Sequence, residues 1–160
     1  MNNNIKPRMK CFEVKKIKDT TLMVNTIYNN FLYLVEYPDL MHSREEINKV
    51  LNSNGCMNLL VFYNNKLIGY LVGDFRTLQD SRYVYYISYF YISQDYRNRG
   101  IGSKLMNLLI LKCKTMGVKF IVLTCDSQNP TTMKFYRKYG FTTDPLLSKN
   151  NRHDVYTLYL

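Results

Sequence analysis

The stretch from Arg82 to Met106 restricts the possible folds of this chain more than any other part of the sequence. Its first half, RYVYYISYFYIS, is apolar or aromatic on both faces of a strand, which predicts a central strand of a sheet. Its second half, QDYRNRGIGSKLM, contains two arginines and two glycines and leads into an amphipathic helix. Three functions fit a flexible, cationic corner between a strand and a helix: an ordinary turn, a nucleic-acid contact, or a site for a small phosphorylated molecule.

The segments before this stretch predict two helices and a hairpin. After a first strand in CFEVKKIK, apolar residues at helical spacing run from Asp19 to about Leu34. Ser43 and Glu46 form a capping box, which predicts a second helix to roughly Ser53. The pair Asn64-Asn65 separates two apolar runs and predicts a tight β-turn, because asparagine tolerates left-handed backbone conformations.

The segments after it alternate between helices and strands. A helix begins at the corner and ends before Gly117, and VKFIVLTC predicts a buried strand. Asn129-Pro130 caps another helix, which Gly140 closes. GFTTDPLL and DVYTLYL predict two final strands. The expected order is β-α-α-β-β-β-α-β-α-β-β, a mixed α/β sheet flanked by helices and forming a single domain over residues 1–160.

Composition excludes some classes of protein. No apolar run approaches the roughly 20 residues of a membrane span, and MNNNIKPRMK lacks the apolar core of a secretory signal, so we expect an intracellular, cytoplasmic protein. The four cysteines form no CxxC pair and the chain has only two histidines, so no metal site is expected. The net charge of +10 favours polyanionic partners, but the basic residues are spread along the chain. Nucleic-acid binding is therefore the weakest hypothesis.

The corner itself fits one of three phosphate-binding patterns. The glycine and lysine spacing of a P-loop is absent, and the third glycine of a Rossmann fingerprint is replaced by Leu105. Arg97-x-x-Gly100-x-Gly102, between a strand and a helix, remains. Glycine allows close backbone approach to an anion, successive N–H groups form a nest, and the helix dipole adds positive charge. The pattern therefore predicts a diphosphate site over Arg97 to Ser103.

Two motifs identify a family. YISQDYRNRGIGSKLM resembles the Q/R-x-x-G-x-G/A acetyl-CoA motif of the GNAT superfamily of N-acetyltransferases. About 25 residues later, NPTTMKFYRKYGF is similar to a second hallmark of these enzymes. The resemblance implies a GNAT-type fold, with a sheet splayed between the fourth and fifth strands. It also implies acetyl-CoA as co-substrate, and an amine as acceptor.

The resemblance also implies the residues that bind acetyl-CoA. The main chain of Phe90, Tyr91 and Ile92 is expected to pair with the pantetheine arm by strand addition, and a bulge in that strand to open the gap. The pyrophosphate is expected at Arg97, Asn98, Arg99, Gly100, Ile101 and Gly102, with Ser103 adding an N–H or hydroxyl. Asn129 is expected to contact the arm. Lys104 and Lys134 are further candidates for phosphate contacts, or charges facing solvent.

The sequence indicates the catalytic groups less clearly than the cofactor-binding residues. The resemblance implies that Tyr136 protonates the leaving thiolate; the alternative is that Tyr136 only packs beside its aromatic neighbours. Many relatives have a carboxylate base at positions that here are Ser88 and Thr124, and neither hydroxyl can take up a proton at neutral pH. The open candidates for the base are Tyr86 through an ordered water, Asp126 and Glu36.

The acceptor is predicted from the walls of the expected cleft. Residues 28–37 and 83–91 are mostly aromatic and aliphatic, which favours a peptide or protein amine next to an apolar side chain. A polyamine would require several carboxylates, and the chain has 12 acidic against 22 basic residues. However, SKNNRHDVYTLYL lacks the paired tyrosine of many protein N-terminal acetyltransferases. A small-amine acetyltransferase and a non-catalytic acetyl-CoA sensor therefore remain alternatives.

Overall fold

The computed structural model describes residues 10–14, 19–34, 40–149 and 152–160, and its elements follow the predicted order. The helices are α1 (Thr20–Leu34), α2 (Arg44–Leu51), α3 (Ile101–Thr115) and α4 (Pro130–Tyr139). The strands are β1 (Lys10–Val14), β2 (Cys56–Tyr63), β3 (Lys66–Thr77), β4 (Tyr83–Ile92), β5 (Phe120–Asp126), β6 (Thr142–Thr143) and β7 (His153–Tyr159). None of these helices is long and apolar enough to cross a bilayer.

The described strands form one mixed sheet in the order β1-β2-β3-β4-β5-β7-β6, with the aromatic strand β4 in the middle, as predicted. Only the β4–β5 pair is parallel, and it joins just Tyr85–Ile87 to Ile121–Leu123. Both strands then continue without pairing to each other, β4 to Ile92 and β5 to Asp126. The expected splay between the fourth and fifth strands is therefore present.

A β-bulge at Ser88 separates the two parts of β4. Val72 of β3 pairs with Tyr89 and Gly73 pairs with Ile87, which leaves Ser88 without a partner on β3. The extra residue breaks the two-residue alternation: Tyr85 and Ile87 lie in one core cluster, whereas Tyr89 lies in the other. The bulge therefore turns Tyr89 toward the opposite face of the sheet.

Each face of the sheet has its own core. The helices α3 and α4 cover one face, with Leu105, Met106 and Leu109 fully buried against β4 and β5. The helices α1 and α2 cover part of the other face, where Ile27 and Ile47 are buried. The sheet is thus covered on both sides of β4, and the splay opens between the two layers.

Local chemistry explains where the elements start and stop. Ser43 and Glu46 form the predicted capping box of α2, and Asn129 caps α4 through the Thr132 N–H at 3.2 Å. Asn64 and Asn65 have φ of 48° and 62°, as a tight hairpin between β2 and β3 requires.

The last hairpin differs from the sequence prediction. GFTTDPLL was expected to be a strand, but only Thr142–Thr143 pairs, in β6. The reason is Asp144, whose carboxylate accepts hydrogen bonds from the N–H groups of Leu146 and Leu147 and so closes a turn. The same carboxylate binds Arg82 at 2.8 Å, which connects this turn to the start of β4.

Candidate active site

Two cavities meet at the splay between β4 and β5. We call the first, of about 510 Å³, the corner cavity, because the corner between β4 and α3 borders it. We call the second, of about 280 Å³, the aromatic cavity, because phenylalanine and tyrosine rings from α1, β3 and β4 line it. The two cavities share four lining residues, namely Phe90, Tyr91, Thr132 and Tyr136. The two cavities therefore lie next to each other at Tyr136.

The corner cavity collects nearly all the residues predicted to bind the cofactor. Its lining includes Phe90, Tyr91, Ile92, Arg97, Asn98, Gly100, Ile101, Gly102, Ser103 and Asn129. Arg99 is not among the lining residues, and its guanidinium lies 5.4 Å from the ring centroid of Tyr96 instead. Lys104 and Lys134 do not line the cavity either.

The N-terminus of α3 presents free backbone donors to the corner cavity. Gly100 precedes the helix with φ of 79°, and no side chain caps the first turn. The first α-helical bond runs from the Lys104 N–H to the Gly100 carbonyl at 3.0 Å, so the N–H groups of residues 101–103 precede it. Ile101, Gly102 and Ser103 all line the cavity. Unpaired donors and the positive end of the helix dipole make this a site for an anion.

The two glycines of the corner have different tasks. Gly100 has open space around it, but its left-handed φ is strained for any other residue. Gly102 has ordinary helical geometry, and a Cβ there lies 3.6 Å from the rings of Phe90 and Phe135, which both line the cavity. Position 102 therefore accepts a Cβ without a clash inside the protein, but a larger side chain occupies cavity space.

Arg97 connects the corner to the end of the central strand. Its Nε donates to the carbonyl of Ile92 at 2.8 Å, and its guanidinium lies 5.8 Å from the ring centroid of Tyr91. This bond holds the corner against β4, while Arg97 still lines the cavity.

Tyr136 fits both interpretations of its sequence position. Its ring packs edge-on against Phe135 and Phe141, with centroids 5.5 and 5.3 Å away, and the residue is only 8% exposed. It also lines both cavities. Burial, with a smaller contribution from Cys125, raises the pKa of Tyr136, so the hydroxyl retains its proton at neutral pH. Packing and proton donation are therefore compatible at this residue.

The aromatic cavity combines apolar walls with two hydrogen-bonded side-chain pairs. Ile27, Phe31 and Leu40 provide apolar surface. Asn30 donates from Nδ2 to the hydroxyl of Tyr70 at 2.9 Å, and both residues line the cavity. The hydroxyl of Tyr89, another lining residue, lies 2.8 Å from Nδ1 of His42.

The predicted bases occupy different places. Tyr86 is absent from the lining of both cavities; its hydroxyl lies 2.6 Å from Oγ1 of Thr124, which does line the aromatic cavity. Asp126 lines that cavity but accepts hydrogen bonds from Arg152 at 3.1 and 3.2 Å and from the Gln128 N–H at 2.9 Å. Glu36 lies outside the described residues. Ser88, at the bulge, lines the aromatic cavity.

Sequence reasoning missed several lining residues. Thr131, Thr132 and Phe135 of α4 line the corner cavity, and helical spacing could have found Thr132 at i+3 from Asn129 and Phe135 at i+3 from Thr132. His42 and Tyr89 are 47 residues apart, and no local pattern connects them. No cluster of His, Cys, Asp or Glu within the described ranges has the arrangement of metal ligands.

Comparison with known proteins agrees with this geometry. The sequence profile of the acetyltransferase (GNAT) family matches residues 22–141, which is most of the chain. The uncharacterised N-acetyltransferase ycf52 of Gracilaria tenuistipitata var. liui is 28% identical over 97 residues, or 61% of this chain. That match covers 52% of ycf52, so the chain corresponds to about half of that relative.

Solved structures share the fold from end to end. A GNAT-family acetyltransferase from Streptococcus pneumoniae superposes with a TM-score of 0.70 at 21% identity, covering 96% of this chain and 100% of the other. Naa50 of Arabidopsis thaliana, solved with the bisubstrate analogue CoA-Ac-MVNAL, has a TM-score of 0.67 at 21% identity and covers 95% and 99%. With the family profile matching three quarters of the sequence, the chain belongs to the GNAT family of acetyltransferases.

Proposed function

We propose that the protein transfers an acetyl group from acetyl-CoA to the amine of a peptide or protein. The observation that carries the proposal is that two different cavities share Tyr136 among their lining residues. One presents unpaired backbone N–H groups at a helix N-terminus, and the other presents aromatic and aliphatic walls. An anionic acyl donor and a neutral amine acceptor need these two environments side by side.

The corner cavity fits a coenzyme A diphosphate. We assign the diphosphate to the N–H groups of Ile101, Gly102 and Ser103, with positive charge from Arg97. The pantetheine arm is assigned to the unpaired edge of Phe90–Ile92, beyond the last β4–β5 pair at Ile87, with Asn129 beside it. Acetyl-CoA, when bound, supplies a thioester whose acyl group can pass to nitrogen.

Tyr136 is assigned as the proton donor for the departing sulfur. Its hydroxyl is protonated at neutral pH, and Tyr136 lines both cavities, next to the assigned path of the pantetheine arm. The rings of Phe135 and Phe141 fix its position, so no reorganisation is needed before the proton moves. Positioned proton transfer of this kind contributes roughly 10²- to 10⁴-fold to a rate.

The walls of the aromatic cavity support a peptide amine over a polyamine. Asp126 is the one carboxylate among the described residues that line it, and Arg152 already balances its charge. A polycation in this cavity would lose hydration with little compensation, whereas an apolar first residue would fit against Phe31 and Leu40. The bisubstrate analogue bound by the similarly folded Naa50 contains a peptide, which supports the same class of acceptor.

A thiol-release assay tests the proposal. The protein is incubated with acetyl-CoA and with peptides of different first residues, spermidine, or an aminoglycoside, and free thiol is measured. We expect peptides with an apolar first residue to be acetylated fastest. Efficient acetylation of spermidine with inert peptides would identify a small-amine enzyme, and acetyl-CoA binding without thiol release from any amine would identify a sensor.

A further inference from the structure

We propose that Tyr89 takes up the proton that the acceptor amine loses and passes its own hydroxyl proton to His42. The inference rests on the function proposed above and assigns the proton route that the sequence left open. It moves that route from Tyr86, which lies outside both cavity linings, to Tyr89, which is a lining residue of the aromatic cavity.

The two side chains are held for direct proton transfer. Nδ1 of His42 lies 2.8 Å from the Tyr89 hydroxyl, which is ordinary hydrogen-bond length. Phe31 contacts both rings, with centroids 6.1 Å from His42 and 5.6 Å from Tyr89. Tyr89 is 4% exposed, so its ring has little freedom to leave this position.

The other described groups in the aromatic cavity are poor proton acceptors. Burial raises the pKa of Cys125 to about 12, and burial also raises the pKa of Tyr70, so neither is a base at neutral pH. Asp126 is paired with Arg152, and the Thr124 hydroxyl cannot hold another proton. Histidine is the side chain whose ordinary pKa suits proton uptake near neutrality. The chain has two, and His153 lies on β7 outside the lining of both cavities.

Charged groups from two elements lie around the Tyr89–His42 pair. From α2, the carboxylate of Glu46 interacts electrostatically with His42 and with Tyr89. From β3, Asp74, Arg76 and Tyr70 act on Tyr89, and Asp74 and Arg76 form an ion pair with each other. From α1, Phe31 is uncharged. Burial is the main cause that raises the pKa of Tyr89, so the tyrosinate form is disfavoured. The hydroxyl therefore gains one proton from the amine as it gives its own proton to His42.

The transfer balances in protons and electrons. One N–H bond of the ammonium breaks and its proton joins Oη of Tyr89, while the O–H proton of Tyr89 moves to Nδ1 of His42. The freed lone pair forms the new N–C bond as the C–S bond breaks, and the sulfur takes its proton from the Tyr136 hydroxyl. The nitrogen, now bonded to the acyl carbon, then loses its second proton to the Tyr136 oxygen, which leaves a neutral amide and restores that hydroxyl. Water then removes the extra proton from His42, which is partly exposed.

The test is the pH dependence of His42→Asn. The asparagine side chain can still accept a hydrogen bond from Tyr89 near the position of Nδ1, but it takes up no proton. With a peptide acceptor, we expect kcat/KM to fall about tenfold at pH 7, because only about a tenth of an α-amine is neutral there. At about pH 9.5, above the roughly 8 of a free α-amine, the amine arrives neutral and the loss should shrink to less than about threefold. The Kd for acetyl-CoA should not change.

Two comparisons make the result decisive. His153→Asn, the matched control, should keep kcat/KM within about threefold of the parent protein at both pH values. An equal loss in His42→Asn at pH 7 and pH 9.5 would assign His42 a structural role and overturn the proposal. So would a pH-dependent loss in Tyr86→Phe that His42→Asn lacks, because the route would then run through Tyr86.

A spectroscopic readout needs no turnover. Long-range ¹H–¹⁵N correlation spectra of the free protein should show a proton on Nε2 of His42 and none on Nδ1, because Nδ1 accepts from Tyr89. Tyr89→Phe should shift the His42 nitrogen signals and leave those of His153 in place. A proton on Nδ1 would overturn the proposal even without a known substrate. Failure of acetyl transfer itself is a separate outcome, seen as no thiol release by the parent protein with any amine.

Discussion

The corner cavity and the aromatic cavity share a wall but are built from different kinds of parts. The corner cavity uses backbone donors from one short stretch, residues 97–103, supported by the first turns of α4. The aromatic cavity uses side chains from α1, β3, β4 and β5. The partners of its two hydrogen-bonded pairs are 40 and 47 residues apart in sequence.

The comparison shows that a short sequence motif can describe the corner cavity but not the aromatic cavity. A diphosphate has one shape and charge, and a contiguous loop of glycines and N–H groups is enough to bind it. An acceptor amine brings its own side chain, so its cavity must be assembled from several elements. The contributions of the two cavities can be distinguished by substitutions in the corner cavity, in the aromatic cavity, or in the sheet that supports both.

The largest expected effect is on the free energy of unfolding, through an ion pair in the sheet that supports both cavities. Arg82 binds Asp144 at 2.8 Å and Asp80 at 2.7 Å, and Asp144 is fully buried. Arg82→Met leaves that carboxylate buried without its cation, which costs about 3–5 kcal/mol of unfolding free energy. Urea denaturation measures the loss, and acetyl-CoA binding should fall only in proportion to the folded fraction. Lys49→Met, which removes an exposed ion pair with Glu45, is the control and should show no measurable change.

The same pair predicts a dependence on pH. Burial alone would raise the pKa of Asp144, but hydrogen bonds from Arg82 and Thr157 outweigh it and hold that pKa well below its ordinary value. A lowered carboxyl pKa stabilises the fold above the unfolded value of about 3.9, and this stabilisation is lost as the pH falls below it. The deficit of Arg82→Met should therefore shrink below about pH 4, where urea curves can be compared. A constant deficit would assign the loss to packing.

Gly102→Val should affect the corner cavity alone. The added side chain occupies space between Phe90 and Phe135, where the diphosphate is assigned, and we expect acetyl-CoA affinity to fall more than about 100-fold. Calorimetric titration measures the Kd. Gly102→Ala is the matched control: its Cβ makes ordinary contacts, so weaker binding should accompany unchanged or higher thermal stability. Normal acetyl-CoA binding by the valine variant would remove the assignment of the diphosphate to this turn.

Tyr136→Phe tests the wall that both cavities share. Without the hydroxyl, kcat should fall about 100-fold while the Kd for acetyl-CoA stays within about threefold, because the group acts only as the thiolate forms. Tyr139→Phe is the control on the same helix, since its hydroxyl donates to the Ser103 carbonyl at 3.1 Å and the residue lines neither cavity. Equal kcat values for Tyr136→Phe and the parent protein would mean that another group or water protonates the sulfur.

The smallest effect is expected from a substitution in the apolar wall of the aromatic cavity. Leu40 lines the aromatic cavity and not the corner cavity, so Leu40→Ala should leave the Kd for acetyl-CoA unchanged. For peptides with a large apolar first residue, kcat/KM should fall about tenfold, and for peptides that begin with alanine it should change little. Thiol-release rates over both peptide sets provide the measurement. A uniform loss over both sets would show that Leu40 does not contact the first side chain.

The sequence is enough to predict the order of elements, the central position of β4 and most of the residues that line the corner cavity. These features depend on local chemistry: period-two and helical patterns, the Ser43–Glu46 box, the Asn129 cap, and glycine where φ is positive at Gly100. Such signals act over a few residues, so they can be predicted from short stretches of the sequence.

Only the tertiary structure decided which side chains meet across the sheet. The extra residue at Ser88 reverses the alternation of β4 and turns Tyr89 toward His42, and Tyr86 reaches the aromatic cavity only through Thr124. The shortened β6 depends in the same way on Asp144, whose buried carboxylate binds Arg82 from 62 residues away. One residue added to a strand exchanges its two faces, and this change of register becomes visible only when the partner strand is in place.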